Sequence, residues 1–362
     1  MITARELFQS DEMSLPKTGP ENGSQFPTFL SAMYDTYLKK VADLNDADKI
    51  GSLIKAQLGD IKIVAQKCVE CVDQYLRGFS GKSYTVVQQL LEIPEIRKSI
   101  NSLISPKDVK DALASLYRLR EVKGSFTITP EQIFHIPFQM RHKVETQRYS
   151  IAGVPSLYCG GSLLVCWEEL KRPSFEHLFF SRICAINDTR VLDFGYQPQF
   201  LSKFCIDGTQ LKDLIVAYAT FWPLIAACSI KPGQTGPFTV EYIVPNMLMQ
   251  WIAGEDICDG IRYFSNRMPR QYYSAEKPSF ICNFAFPAKT SKIDGFCDVL
   301  RKKFKISDPL NWRISQTTDL TGTPSGNGTQ KIVVNNSTEK PYANSEFWIM
   351  ESYANSIPLV TL

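Results

Sequence analysis

Long hydrophobic runs are missing from this 362-residue chain, although 44% of its residues are hydrophobic. No uninterrupted apolar stretch reaches the roughly 18 residues that a membrane-spanning helix requires, so no membrane association is expected. The first residues also lack the basic-then-apolar pattern of a secretory signal. We therefore expect a cytoplasmic protein whose ten cysteines are reduced thiols.

Clustered basic charge and glycine-rich phosphate loops are missing as well. The chain has 40 Lys and Arg against 37 Asp and Glu, a net charge of +3, with no long basic run. Because binding to nucleic-acid phosphates usually needs a clustered basic surface, we expect no obligate nucleic-acid partner. Loops of the Walker and Rossmann types are absent, so a bound nucleotide would need another kind of cradle.

Histidine is scarce, which limits both metal binding and nucleophilic catalysis. The three histidines are His135, His142 and His177, and no spacing supports a Cys–His nucleophilic pair. His135 is expected to pack or to make one hydrogen bond. Cys68 and Cys71 have the spacing of a zinc or redox pair, but neither a second pair nor a nearby histidine completes four ligands. We expect no metal and interpret both cysteines as small apolar residues on a helix.

The chain has two regions with different sequence patterns, and its length predicts about two domains. Hydrophobic residues recur at helical spacing over residues 29–104, after a polar and loosely held lead-in over 1–26. From about residue 110, short β-branched and aromatic segments alternate with helical stretches. We predict an α+β protein with a helical N-terminal domain over 1–108 and a mixed domain over 109–315. Residues 316–362 would form a polar loop (316–330) and a segment, helical or extended, that packs on the mixed domain.

Individual elements of the mixed domain can be predicted from the same patterns. Strands are expected at 116–119, 125–129, 156–159, 190–193, 239–244 and 260–265. Helices are expected around 162–171, 210–229 and 246–253, the last with Asn246 as its N-cap.

A carboxylate at the edge of the first of these helices is the best candidate for chemistry. At about 100° per residue, an apolar stripe is formed by Leu163, Cys166, Trp167 and Leu170. Glu169 falls at the edge of the stripe and Glu168 nearly opposite its centre. An edge carboxylate can point into a cleft, whereas an opposite one usually points at water. Geometry therefore favours Glu169 over Glu168, although most glutamates at helix edges are structural or solvated.

Two strands add further candidates. Arg118 and Arg120 share one face of the strand that begins near residue 116, and an exposed strand face is the alternative interpretation. Ser265 ends the strand that begins at residue 260, where a serine is otherwise a turn former.

Taken in order, these pieces resemble the RES domain, a family named for Arg, Glu and Ser. The resemblance covers roughly residues 115–290 and is carried by Tyr117-Arg118, the segment from Arg148 to Tyr158, Glu169, 241–245, 251–252 and 259–265. The N-terminal helices look like the extension of some RES proteins that is likened to HEPN domains. No Arg-x(4–6)-His nuclease motif can occur there, because no histidine precedes His135. That region is expected to sense or interact, and a chain beginning near Ser105 is then expected to keep the chemistry.

The resemblance implies a fold, a reaction and a set of site residues. RES proteins include toxins of toxin–antitoxin pairs that destroy NAD+, with a mixed β core resembling ADP-ribosyltransferases. It implies a glycohydrolase or phosphorylase that takes NAD+ as substrate, water or inorganic phosphate as acceptor, and no cofactor. A separate protein antitoxin or regulator is implied as partner, and a homo-oligomer stays open.

The roles implied for individual residues follow the family pattern. Glu169 would stabilise the cationic ribose or orient the acceptor, with Arg118 and Ser265 as the other catalytic residues. Arg118 and Arg148 would bind pyrophosphate or phosphate, and Ser265 would bind the carboxamide or ribose. Tyr158 would stack on a ring, and Tyr117 and Arg120 complete the expected NAD+-binding set.

Two alternatives share these residues. An ADP-ribosyltransferase would break the same bond but pass the ADP-ribose to a macromolecule. A catalytically inactive module would only bind a nucleotide or a protein partner.

Overall fold

The computed structural model describes residues 1–104, 111–125, 127–186, 188–234, 236–269, 272, 278–290, 292–313, 331–332 and 340–362. The chain forms two compact units. The first comprises Met1–Pro106, Glu145–Ala152 and Arg190–Asp259, and the second Lys107–Val144, Gly153–Thr189 and Gly260–Leu362. The domain boundaries predicted near residues 108 and 315 refer to parts that fold independently, and they stay predictions. The predicted loop over 316–330 lies outside the described residues.

In chain order, the helices of the described residues are α1 (Ala4–Gln9), α2 (Phe26–Ala42), α3 (Lys49–Ala56), α4 (Leu58–Leu76), α5 (Ser80–Glu92), α6 (Pro94–Ile100), α7 (Pro130–Ile133), α8 (Leu163–Glu169), α9 (Pro198–Leu201), α10 (Lys212–Ser229), α11 (Ile243–Gly254), α12 (Asp298–Lys303) and α13 (Glu346–Ser356). None of them, over these ranges, combines the length and the apolar character needed to cross a bilayer.

The strands are β1 (Leu116–Glu121), β2 (Ser156–Gly160), β3 (Leu178–Ala185), β4 (Val191–Phe194), β5 (Gly260–Phe264), β6 (Cys282–Pro287), β7 (Phe304–Ser307), β8 (Leu310–Asn311), β9 (Lys331–Ile332), β10 (Lys340–Pro341) and β11 (Leu359–Thr361). The protein therefore combines helices with a large sheet, as the predicted mixture of α and β elements requires.

The predicted helical character of residues 29–104 is confirmed by α2 to α6. One face of α2 is buried at helical spacing by Phe26, Leu30, Tyr34, Tyr37 and Val41. The expectation for residues 1–26 was wrong, because α1 starts with a capping box between Thr3 and Glu6 and buries Leu7 and Phe8. A six-residue helix is too short to show periodicity, so its cap was the signal available in the sequence.

Helix α10 is the buried centre of the first unit, with fifteen residues of its eighteen buried. Pro223 inside the helix has no N–H to donate to the carbonyl of Ala219, four residues earlier. The Tyr37 hydroxyl donates to that carbonyl at 2.7 Å, and the Tyr34 hydroxyl donates to the carbonyl of Pro223 at 2.9 Å. Two tyrosines of α2 thus satisfy the backbone around the helix proline.

The sheet of the second unit runs in the order β11-β7-β3-β1-β2-β6-β5, with β8 beside β3. Its described pairings are antiparallel. Strands β1, β2 and β5 confirm the predictions at 116–119, 156–159 and 260–265, and β4 of the first unit confirms 190–193. Strand β6 was missed because it is buried on both faces, and β3 because most of its residues are buried; neither shows a regular alternation of polar and apolar residues.

Two predicted strands were wrong. The described residues of 125–129 form no strand, and 239–244 contains a 3-10 turn followed by the start of α11. Helix α11 begins at Ile243, so Asn246 lies inside it rather than at the N-cap, and its side chain donates to the Tyr242 carbonyl at 2.6 Å. A short run of β-branched residues in the sequence is compatible with both a strand and the start of a buried helix, so the pattern does not distinguish them.

Candidate active site

Helix α8 confirms the helix predicted around 162–171 and lies directly against the sheet. Ser162 is its N-cap, and the Ser162 hydroxyl accepts a hydrogen bond from the Val165 N–H at 3.1 Å. The backbone of β2 approaches the helix closely at Gly160, where a Cβ would lie 2.5 Å from the Sγ of Cys166. The six residues from Leu163 to Glu168 are buried, and Glu169 is the last helical residue.

Glu168 does not point at water, as the helical projection predicted. It is 7% exposed, and its two carboxylate oxygens accept from Nε and Nη2 of Arg172, both at 2.9 Å. Leu170, placed in the apolar stripe, is instead 41% exposed. The projection fails because the helix ends at Glu169 and the chain turns sharply through Lys171 and Arg172, with φ values of 64° and 55°. This turn returns Arg172 to Glu168.

Glu169 lies in a cluster of two hydrogen-bond donors and one guanidinium group. Its Oε1 accepts from the Ser265 hydroxyl at 2.5 Å and from the Asn283 side-chain amide at 2.7 Å. The Nε of Arg267 is 3.4 Å from its Oε2, and the Glu169 side chain is 34% exposed. The structure thus brings together two predicted residues, Glu169 and Ser265, which are 96 positions apart.

Three elements of the second unit create this cluster. Helix α8 ends at Glu169, β5 ends just before Ser265, and β6 pairs with β5 so that Asn283 lies opposite Tyr263. Ser265 is fully buried, and its hydroxyl also accepts from the Arg267 N–H at 3.1 Å. An ionised carboxylate only accepts hydrogen bonds, so these donors fix a negative charge while part of the side chain stays open to solvent. Such a charge can stabilise a cation that develops on a ligand.

Asn283 and Arg267 were missed by the sequence reasoning. Asn283 lies in the apolar run from Cys282 to Pro287, and a single buried amide inside such a strand was the available signal. Arg267 is two residues after Ser265, in a segment without periodicity. Neither distance in sequence nor residue type indicated that both would reach Glu169.

The side chain of Arg118 connects β1 to β2 by a hydrogen bond. These strands pair in register at Tyr117 and Gly160, beyond which the Nη1 of Arg118 donates to the Tyr158 carbonyl at 2.5 Å. Its Nε donates to the carbonyl of Ile133 at 2.6 Å. Two of its three guanidinium nitrogens are thereby committed to backbone carbonyls, which supports a structural contribution beside the predicted ligand-binding one.

The other predicted residues of β1 and β2 divide between two faces of the sheet. Gly160 pairs with both Tyr117 and Asn283, and Tyr158 is two residues before Gly160, so Tyr117, Tyr158 and Asn283 share one face of the sheet. The side chains of Arg118 and Arg120 leave the backbone on the opposite face. The Tyr117 hydroxyl donates to the side chain of Asn355 on α13 at 3.1 Å, and burial raises the pKa of Tyr117. Burial lowers the pKa of the half-buried Arg120.

Arg148 belongs to the first unit, in the segment Glu145–Ala152. Burial raises the pKa of the Cys228 thiol in the same unit, and the Tyr149 hydroxyl and the Arg148 charge act in the opposite direction. Arg148 therefore lies close to the buried thiol of Cys228.

The remaining chemical signals are structural in character. The predicted packing of His135 is confirmed: it is buried, its Nδ1 bonds with the Ile136 carbonyl at 2.8 Å, and its Nε2 accepts from the Cys297 N–H at 2.9 Å. Burial lowers the pKa of His135 to about 4. Cys68 and Cys71 are buried on α4, as predicted. Over the described ranges, no three His, Cys, Asp or Glu side chains come together in a group that could hold a metal ion.

Comparison with known proteins gives one informative match. The chain is 29% identical over 322 residues to a protein of Bacillus subtilis strain 168 named "Putative toxin YopC", and the match covers 86% of this chain and 71% of that protein. No protein-family model matches the chain. No solved structure matches it either. Membership of the RES family and an ADP-ribosyltransferase-like fold accordingly stay predictions.

Proposed function

We propose that this chain is an NAD+-degrading enzyme, a glycohydrolase or phosphorylase, that acts as a toxin. The observation that carries the chemistry is the carboxylate of Glu169, held by Ser265 and Asn283 and still one-third exposed. The similarity to a protein named as a toxin supports the biological role. A toxin must be restrained in its own cell, so the proposal includes a separate protein antitoxin or regulator.

The proposed reaction breaks the bond between the ribose C1 and the nicotinamide nitrogen. The bonding electron pair moves to the cationic ring, so nicotinamide leaves as a neutral molecule without a general acid, and the ribose C1 becomes positive. The Glu169 carboxylate would stabilise that charge. A water oxygen then bonds to C1 and loses its proton, giving ADP-ribose, nicotinamide and a proton. With inorganic phosphate as acceptor, the product is ADP-ribose phosphorylated at C1.

Each contact in the cluster has a purpose in this proposal. The donors Ser265 and Asn283 hold the carboxylate in one orientation, so that it does not rotate away from the ribose. A single carboxylate suffices, unlike the pair that most glycoside hydrolases use. Tyr158 and Arg148 stay proposed ligand-binding residues, and the backbone contacts of Arg118 suit a residue that positions the strand of Tyr158.

The decisive experiment measures NAD+ consumption by the purified protein, with and without inorganic phosphate. We expect Glu169→Gln to lower kcat by about 10²-fold or more, because the amide lacks the negative charge. Glu168→Gln is the matched control: it makes the same chemical change one residue earlier, at a side chain that pairs with Arg172 outside the cluster. It should keep the rate, even if it lowers stability. The chromatographic identity of the product, ADP-ribose or its phosphate, names the acceptor.

Other outcomes would point to the alternatives. With NAD+ labelled in its adenylate half, label retained on protein or nucleic acid would identify a transferase. Intact NAD+ after incubation with folded wild-type protein would contradict the proposed enzyme, and calorimetric titration with NAD+ would then test the binding-module alternative.

A further inference from the structure

Helix α8 is too short to determine its own position. It has seven residues, fewer than an isolated helix needs for stability in water. Its last residue, Glu169, nevertheless meets two donors at 2.5 and 2.7 Å. Contacts outside the helix must therefore fix where it starts.

Two anchors lie at the start of α8. The Ser162 hydroxyl donates to the carbonyl of Phe280 at 2.8 Å. The N–H of Leu163, the first helical residue, donates to Oε1 of Glu351 at 2.6 Å. Glu351 lies on α13, 188 positions later in the chain and within the same compact unit.

Glu351 is a buried carboxyl group without a charged partner in the described part of the chain. Its Oε1 accepts from the Leu163 N–H and from the hydroxyl of Tyr342, the latter at 2.5 Å. Burial raises the pKa of Glu351 to about 7. A buried carboxyl group that lacks a cation is costly, and an apolar side chain would pack at α13 without that cost. What an apolar residue cannot supply is the acceptor for the Leu163 N–H.

Resting on the function proposed above, we propose that Glu351 is a positioning residue for Glu169. It fixes the start of α8, and the helix transmits this position over about 9 Å, at 1.5 Å per residue, to the carboxylate at its other end. The hydrogen bonds to Ser265 and Asn283 tolerate only a few tenths of an ångström before they weaken. The C-terminal helix α13 is in this way a part of the catalytic unit.

Substitutions at Glu351 test the link. Glu351→Leu keeps the bulk and removes the acceptor, whereas Glu351→Gln keeps an oxygen that can accept from both donors. Because a displacement of about 1 Å can cost 10²-fold in rate, we expect Glu351→Leu to lower kcat of NAD+ cleavage by about that factor with little change in KM. Glu351→Gln should restore kcat. Ala354→Gly is the control, since it weakens α13 at a buried position without removing a hydrogen bond of Glu351.

A second readout does not depend on NAD+ cleavage. In protein labelled with 13C at glutamate carboxyl groups, the Glu169 resonance is assigned by its loss in Glu169→Gln. We expect this resonance to shift in Glu351→Leu, and to stay in place in Glu351→Gln and Ala354→Gly. If Glu351→Leu does not fold, Tyr342→Phe removes one of the two donors to the same oxygen and should shift the resonance by a smaller amount.

The two readouts separate the failure of each proposal. If the wild-type protein leaves NAD+ intact, the proposed function fails, but the Glu169 resonance still decides the positioning. An unshifted resonance in Glu351→Leu, or in Tyr342→Phe where that variant is needed, overturns the positioning role. A resonance that moves equally in Ala354→Gly and Glu351→Leu also overturns it, because general weakening of α13 would then suffice.

Discussion

Three glutamates of the second unit are stabilised in three different ways. Glu168 is buried against the guanidinium of Arg172. Glu169 is partly exposed beside two hydrogen-bond donors and the guanidinium of Arg267, and Glu351 is buried with two neutral donors. The first arrangement neutralises a charge, and the second keeps a charge available to a ligand. The third keeps a carboxyl group whose ionisation is itself disfavoured by burial. Residue type alone therefore does not separate a structural from a chemical carboxylate.

The raised pKa of Glu351 makes stability depend on pH in a predictable direction. The pKa is about 7 in the folded protein against an ordinary value of 4.5. Between these pH values the folded protein keeps a proton that the unfolded chain has released. The contribution of Glu351 to the free energy of unfolding is therefore complete below about pH 4.5. It decreases by about 3 kcal/mol as the pH rises to about 7. Burial also raises the pKa of the facing groups Tyr117, Tyr342 and Cys166, which do not titrate in this interval.

Glu351→Gln isolates this contribution, because glutamine does not titrate. Urea unfolding at pH 4.5 and pH 7.5 should show that the wild-type protein loses about 3 kcal/mol more than the variant between the two conditions. Equal losses in both proteins would show that Glu351 does not carry a raised pKa. The contributions of the other titrating groups to the free energy of unfolding are the same in both proteins and cancel in the comparison.

The sequence predicted the candidate site only in part, for reasons visible in single residues. Glu169 could be selected because helical periodicity places it at the edge of an apolar stripe. Asn283 could not, because its strand shows no alternation and its partner lies 114 positions away. Glu351 carries no local signal at all, since its role depends on where α13 meets α8.

At the scale of elements, the end of α8 contains conformational strain. The N–H of Lys171 donates to the carbonyl of Glu168 and the N–H of Arg172 to the carbonyl of Trp167, both at 3.0 Å. This is the Schellman arrangement, in which glycine is usual at the position of Lys171. Lys171 instead has a side chain at φ 64°, which costs a residue with a Cβ about 1–2 kcal/mol.

Lys171→Gly should therefore stabilise the protein. Glycine removes the strain but gains freedom in the unfolded chain, so we expect a net increase of about 0.5–1 kcal/mol in the free energy of unfolding. Lys171→Ala is the control, because it removes the charge while keeping the Cβ, and it should give no such increase. Thermal and urea unfolding measure both variants. If Lys171→Gly is no more stable than Lys171→Ala, the left-handed conformation is not the source of strain.

At the scale of the whole molecule, the helical regions were easier to predict than their association. The helical character of α2 follows from the local spacing of its apolar residues. That residues 190–259 form one compact unit with the N-terminal helices could not be read from spacing, because α10 is apolar on all sides. A helix of that kind must be enclosed, but its sequence does not say by which other helices.

This association changes what is expected of a chain shortened to residues 105–362. Such a chain loses α2 and α4, and with α2 the two tyrosine hydroxyls that donate to the carbonyls of Ala219 and Pro223. Of the fifteen buried residues of α10, those covered by the N-terminal helices would face water. At about 1.5–3 kcal/mol for each large apolar side chain, exposing four or five of them costs about as much as the 5–15 kcal/mol that stabilises a typical domain.

We therefore expect residues 105–362 to aggregate or to lose the structure of α10, rather than to behave as an independent enzyme. Gel filtration and circular dichroism of the shortened chain provide the test, with residues 1–104 supplied as a separate chain for comparison. Recovery of a soluble species in the presence of the separate 1–104 chain would support a shared core. A soluble, cooperatively unfolding 105–362 chain on its own would contradict it and would assign the N-terminal helices a regulatory rather than a structural role.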